Sequence, residues 1–62
     1  MNTPLQSALL LQNRLLDFMS LEEFQRFVIG QASDYAALLN AAVTGKAFLV
    51  RRTANGFAIK IA

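Results

Sequence analysis

The sequence predicts a small α+β domain in which two helices are followed by a β-hairpin, all within one unit spanning residues 1–62. Three observations lead there. Apolar residues recur at helical spacing as far as Ala42, and helix-start and helix-stop residues punctuate that stretch. From Lys46 onward, "KAFLVRRTANGFAIKI" changes to alternation of apolar and polar positions around an Asn-Gly pair.

The first helix is expected from about Pro4 to Met19. Thr3 offers a capping hydroxyl, and proline is tolerated at the first helical position because its missing N–H has no helical partner there. Its apolar residues form two stripes, Ala8, Leu11, Leu15, Phe18 and Leu5, Leu9, Leu16, Met19. These leave Gln6, Asn13, Asp17 and the odd Leu10 for water, a face wide enough to touch more than one neighbour. Ser20-Leu21-Glu22-Glu23 reads as a capping box, with both carboxylates at the positive end of a second helix. That helix is expected over about 21–44, closed by Thr44-Gly45 as a glycine C-cap. Its stripe of Phe24, Phe27, Val28, Tyr35, Leu38, Leu39 and Ala42 persists across Gly30. This favours one continuous helix over a break between Gly30 and Ser33 with Ser33 as a new cap.

The hairpin is expected over about 46–61. A two-residue Asn55-Gly56 turn would set Arg51 opposite Lys60, a like-charge pair that destabilises. A loop of Thr53 to Gly56 instead pairs Val50 with Ile59 and Phe48 with Ile61. That register puts Phe48, Val50, Phe57, Ile59 and Ile61 on one face, and Ala47, Leu49, Arg51, Ala58 and Lys60 on the other. Two strands alone make a sheet too small to be stable, and pairing the last strand with its copy in a second chain would give a four-stranded one.

Composition points the same way. The chain is 55% hydrophobic and 16% charged, and at 62 residues folding buries only about 60% of the unfolded surface. There is no cysteine for a disulfide and no Cys or His for a zinc site, so self-association is the expected remedy. No basic stretch precedes the first apolar run as a secretory signal would require, and no run approaches the length that crosses a membrane. The expected setting is cytoplasmic, with no membrane partner.

Catalysis is not expected. His and Cys are absent, the only carboxylates are Asp17, Glu22, Glu23 and Asp34, and adjacent Glu22 and Glu23 point about 100° apart on a helix. Ser7, Ser20 and Ser33 have no imidazole to activate them. No cofactor, metal or small-molecule substrate is expected. Phe18, Phe24, Phe27 and Tyr35 sit at helical spacing, as core packing requires, with the Tyr35 hydroxyl the one able to reach water.

Charge is unevenly placed. Residues 1–34 carry a net −2 and residues 35–62 a net +4. Lys46, Arg51, Arg52 and Lys60 are thus candidate contacts to nucleic acid or to a protein partner, or charges that keep an exposed sheet soluble and guard its edge. Phe48, Val50, Ile59 and Ile61 are expected to pack under the helices. Leu10 and Leu49, with Ile59 and Ile61 of the last strand, are the candidate oligomer contacts.

"AAVTGKAFLVRRTANGFAIKI" resembles the last helix and hairpin of the lambda Cro repressor family, and "SLEEFQRFVIGQ" resembles its opening helix. The resemblance implies a small phage regulator that dimerises through its last strand; a phage or mobile-element regulator is the expected setting. Between Gln31 and Val43 the sequence departs from that family, leaving no room for the two helices of a helix-turn-helix. "TGKAFLVRRTANGFAI" is also similar to the hairpin of lambda-type phage head-tail joining proteins, which implies a particle subunit, although there a helix follows the hairpin. A segment similar to two unrelated families reports a shared supersecondary unit, from which function does not follow. The expected function is therefore a non-enzymatic interaction module, a homo-oligomer and first of all a dimer. The alternatives are a small DNA-binding regulator and a phage assembly subunit.

Overall fold

The computed structural model describes residues 3–62 and shows an α+β architecture: three helices, then a two-stranded antiparallel hairpin. Helix α1 spans Pro4–Leu15. Thr3 caps it as expected, and Gln6 completes the box by accepting the Thr3 N–H at 3.0 Å. The helix ends four residues earlier than its apolar stripe suggests. The amides of Asp17 and Phe18 turn back to the carbonyls of Arg14 and Leu15 at 3.3 and 3.2 Å, a tightened last turn that brings the chain round to Ser20. Met19 is thereby driven into the core.

Helix α2 spans Leu21–Gly30 and opens on the expected capping box, Ser20 Oγ accepting from Glu23 N at 3.1 Å and Glu23 Oε1 accepting from Ser20 N at 3.0 Å. Helix α3 spans Ala32–Thr44. The expected continuity across Gly30 is replaced by a break at Gln31, whose φ −127°, ψ 51° lie outside the helical region. Ser33 does not cap α3. The backbone loses little at this corner, because Gln31 N–H still bonds Phe27 O at 2.8 Å while Gln31 O accepts Tyr35 N–H at 3.0 Å. Glycine lowers the cost of ending α2. An unbroken helix over 21–44 would be about 36 Å long, too long to fold Phe24 and Phe27 onto the same core as Leu38 and Ala41. The bend does so and sets Tyr35 edge-on to Phe24 with centroids 6.1 Å apart.

Gly45 ends α3 at φ 77°, a left-handed conformation that glycine adopts without steric cost. Strands β1, Phe48–Thr53, and β2, Gly56–Ile61, pair in the expected register, Val50 opposite Ile59 and Phe48 opposite Ile61. The loop is shorter than expected, because Thr53 also pairs with Gly56 and only Ala54 and Asn55 turn. Gly56, at φ 142°, takes the reversal.

Leu11, Leu15, Met19, Phe24, Phe27 and Leu38 form the core, with Phe48, Val50, Phe57 and Ile59 packed on it from the inner face of the hairpin. Ser7, which belongs to neither apolar stripe of α1, is 1% exposed. Leu5 and Leu9, expected to meet a neighbour, stand in solvent, as do Leu10 and Leu49. All three helices therefore cover one face of the sheet, and the other is open. No helix among the described residues is long and apolar enough to cross a membrane.

Candidate interaction surface

The four basic residues that cluster in the sequence are separated by the pleat and by the bend before β1. Arg52 pairs with Phe57 on the inner face. Its guanidinium lies 5.0 Å from the Phe57 ring centroid, donates to Glu23 and reaches the Phe18 carbonyl at 3.1 Å. It ties the hairpin to the capped start of α2. The hydrogen bond from Arg52, then the one from Ser20 N–H, pulls the Glu23 carboxyl from its ordinary 4.5 down to about 2, while Glu23 in turn raises Arg52. A side chain held in this way is a structural tie.

Lys46 stands on a different wall. It borders a half-open cleft of ≈ 450 Å³ between α1, the end of α3 and the start of β1, with Ser7, Leu10, Arg14, Ala41 and Phe48 among its lining. Arg14 leans over the Phe48 ring at 4.5 Å from its centroid. Only Arg51 and Lys60 share the outer sheet face, where they frame Leu49 and Ala58. The sequence cluster is thus three places: a half-exposed tie to Glu23, a cleft rim and a pair on the open face. The candidate oligomer contacts divide likewise, Leu10 on the cleft, Leu49 on the open face, Ile59 under the helices and Ile61 partly covered.

The backbone supplies what side-chain reasoning missed. Ala62 N–H bonds Ala47 O at 3.0 Å, so 47 and 62 are a hydrogen-bonded pair. By the alternation of an antiparallel ladder, 49/60, 51/58 and 53/56 are too. The peptide groups of Phe48, Val50 and Arg52 on β1, and of Phe57, Ile59 and Ile61 on β2, then point away from the partner strand. Gln31 proves the parity, since its side-chain amide fits against the outward side of Phe57, donating to Phe57 O at 2.8 Å and accepting Phe57 N–H at 3.4 Å. The same Nε2 donates to Asp34 at 2.8 Å, fixing the amide's orientation. One glutamine thus imitates a residue of a third strand. Gly56 makes room for it, because a Cβ there would stand 3.1 Å from Gln31 Oε1. No sequence pattern marks Gln31 for this duty; only the bend after Gly30 aims it at β2.

Comparisons with protein-family models, with curated proteins and with solved structures found no match to the chain. Among the described residues no three His, Cys, Asp or Glu side chains gather as metal ligands would. The outer face offers hydrogen-bonding peptide edges, one large apolar side chain and two cations, an inventory suited to binding a chain.

Proposed function

We propose that this protein is a non-enzymatic interaction module that works as a homo-oligomer, a dimer in the first instance. The observation that supports it is a two-stranded sheet roofed by helices on one side only, with outward peptide groups on both edges and Leu49, 62% exposed, on the open face. Two strands by themselves are marginal in water, and unpaired edges invite a further strand. Leu5, Leu9 and Ile29 add exposed apolar surface elsewhere, of the kind that association covers.

The test is sedimentation velocity across roughly four decades of protein concentration, because an associating chain changes its mass with dilution. A single 6.8 kDa species throughout would refute the proposal. The DNA-binding alternative draws on Arg51, Lys60 and Lys46, since Arg52 is engaged by Glu23. Titration with duplex DNA at two salt concentrations decides it. Phosphate contacts give affinity that falls steeply with salt, and the interaction-module reading expects no binding at either.

A further inference from the structure

Granted association, the hairpin has two edges through which a second copy could join, and the expectation from the sequence named the last strand. We propose instead that a second copy of this chain pairs antiparallel with the free edge of β1, about a two-fold axis at Leu49. The inference rests on the homo-oligomer reading above and chooses its edge and register.

The β2 edge is obstructed twice. Its outward groups are those of Phe57, Ile59 and Ile61, and Gln31 already occupies both groups of Phe57. The two that remain pair reciprocally, Ile59 with Ile61 of the copy, only if the axis passes through Lys60. Lys60 then faces its own copy in a close, non-hydrogen-bonded pair, and like charges directly opposite are destabilising.

The β1 edge has neither obstacle between Phe48 and Val50. With the axis at Leu49, Phe48 of each copy meets Val50 of the other, and their outward N–H and C=O groups close four interchain hydrogen bonds. Leu49 falls opposite its copy on the open face, in the position where cross-strand side chains approach most closely. The largest apolar side chain of that face, 62% exposed in the single chain, is covered by the pairing. Charge agrees with the register. Beside β1 runs a groove of ≈ 310 Å³ whose rim carries both Arg14 and Asp17. Arg14 lies over the Phe48 ring, and Asp17 follows it within one turn. The two-fold brings the grooves of the two copies together, each with one cation and one carboxylate. Directly paired residues share a face in an antiparallel sheet, so the product is a four-stranded sheet, β2-β1-β1-β2, with all helices on one side.

The chain has no cysteine, so single cysteines report the pairing without background. Leu49→Cys and Lys60→Cys both lie on the open face, where substitution leaves the core intact. Opposed Cα atoms about 4.5 Å apart in a non-hydrogen-bonded pair fall within the range a disulfide spans. Mild oxidation at a concentration where sedimentation shows the dimer is expected to cross-link Leu49→Cys nearly completely and Lys60→Cys not at all. Cross-linking of Lys60→Cys, or a dimer in which Leu49→Cys stays reduced, overturns the β1 assignment while the homo-oligomer reading stands. A wild-type chain that sediments as a monomer at every concentration overturns both, and would leave the edge to a strand from a different protein.

Discussion

Replacing Ser7 by alanine should make this protein more stable, although it removes a polar group from a chain of modest size. Ser7 is 1% exposed, lies on the α1 face that packs on α3, and its hydroxyl has no hydrogen-bond partner. A buried polar group without a partner costs about 1–3 kcal/mol relative to one that keeps its water. Alanine also exceeds serine in helix propensity by a few tenths of a kcal/mol, and the oxygen removed is too small to leave a cavity that collapses badly. Offsetting lost dispersion contacts against these gains, Ser7→Ala should add about 1–2 kcal/mol. For a domain of this size that corresponds to a rise in Tm of about 5–15 °C. Urea unfolding followed by circular dichroism should show the midpoint rising with an unchanged slope. Variant and wild type must be compared at one protein concentration, because association adds to apparent stability. Ser7→Val is the control for volume: it also removes the hydroxyl but brings two methyls more than alanine to a site 1% exposed, and should be about 1–3 kcal/mol less stable than Ser7→Ala. A Ser7→Ala protein no more stable than wild type would show that the hydroxyl has a partner in solution and costs nothing.

Gln31→Ala deletes the amide that holds Phe57 and Asp34, and should cost about 1–2 kcal/mol; hydrogen exchange at the Phe57 amide should accelerate first. Gln31→Glu should be worse than alanine, because it sets a carboxylate against both Asp34 and the Phe57 carbonyl. Glu23 is depressed in the folded chain, so its contribution is fully present above its ordinary 4.5 and is lost as pH falls from there toward about 2. Acid titration of stability should therefore show a shallower limb in that window for Glu23→Gln, with the difference from wild type constant at neutral pH. Leu38, 0% exposed at the centre of the core, should lose about 2–5 kcal/mol on truncation to alanine, seen as a large fall in the urea midpoint.

Much of the fold was legible because its signals are local. A hydroxyl before Pro4, Ser20 three residues before Glu23, and glycine after Thr44 each act within one helical turn, and each cap formed where the residues indicated. The strand register was legible because a slip would set Arg51 against Lys60, a conflict visible in one dimension. The ends of α1 and of α2 were not. Apolar periodicity reports which face a residue would occupy in a helix and is blind to whether the helix continues, so the stripes running through Phe18 and across Gly30 suggested more helix than forms.

The interaction surface divides along the same line. The hairpin's basic charge, its one apolar face and its open edges follow from the order of its residues alone. The packing of the helices on the hairpin sets Arg52 against Glu23, puts Lys46 on another wall and withdraws Ser7 from water beside α3. It also obstructs part of the β2 edge, because the bend at Gln31 carries a side-chain amide across 26 positions of sequence to Phe57. Contacts of that span follow from the packing angles of helices around a shared core, which no local pattern encodes.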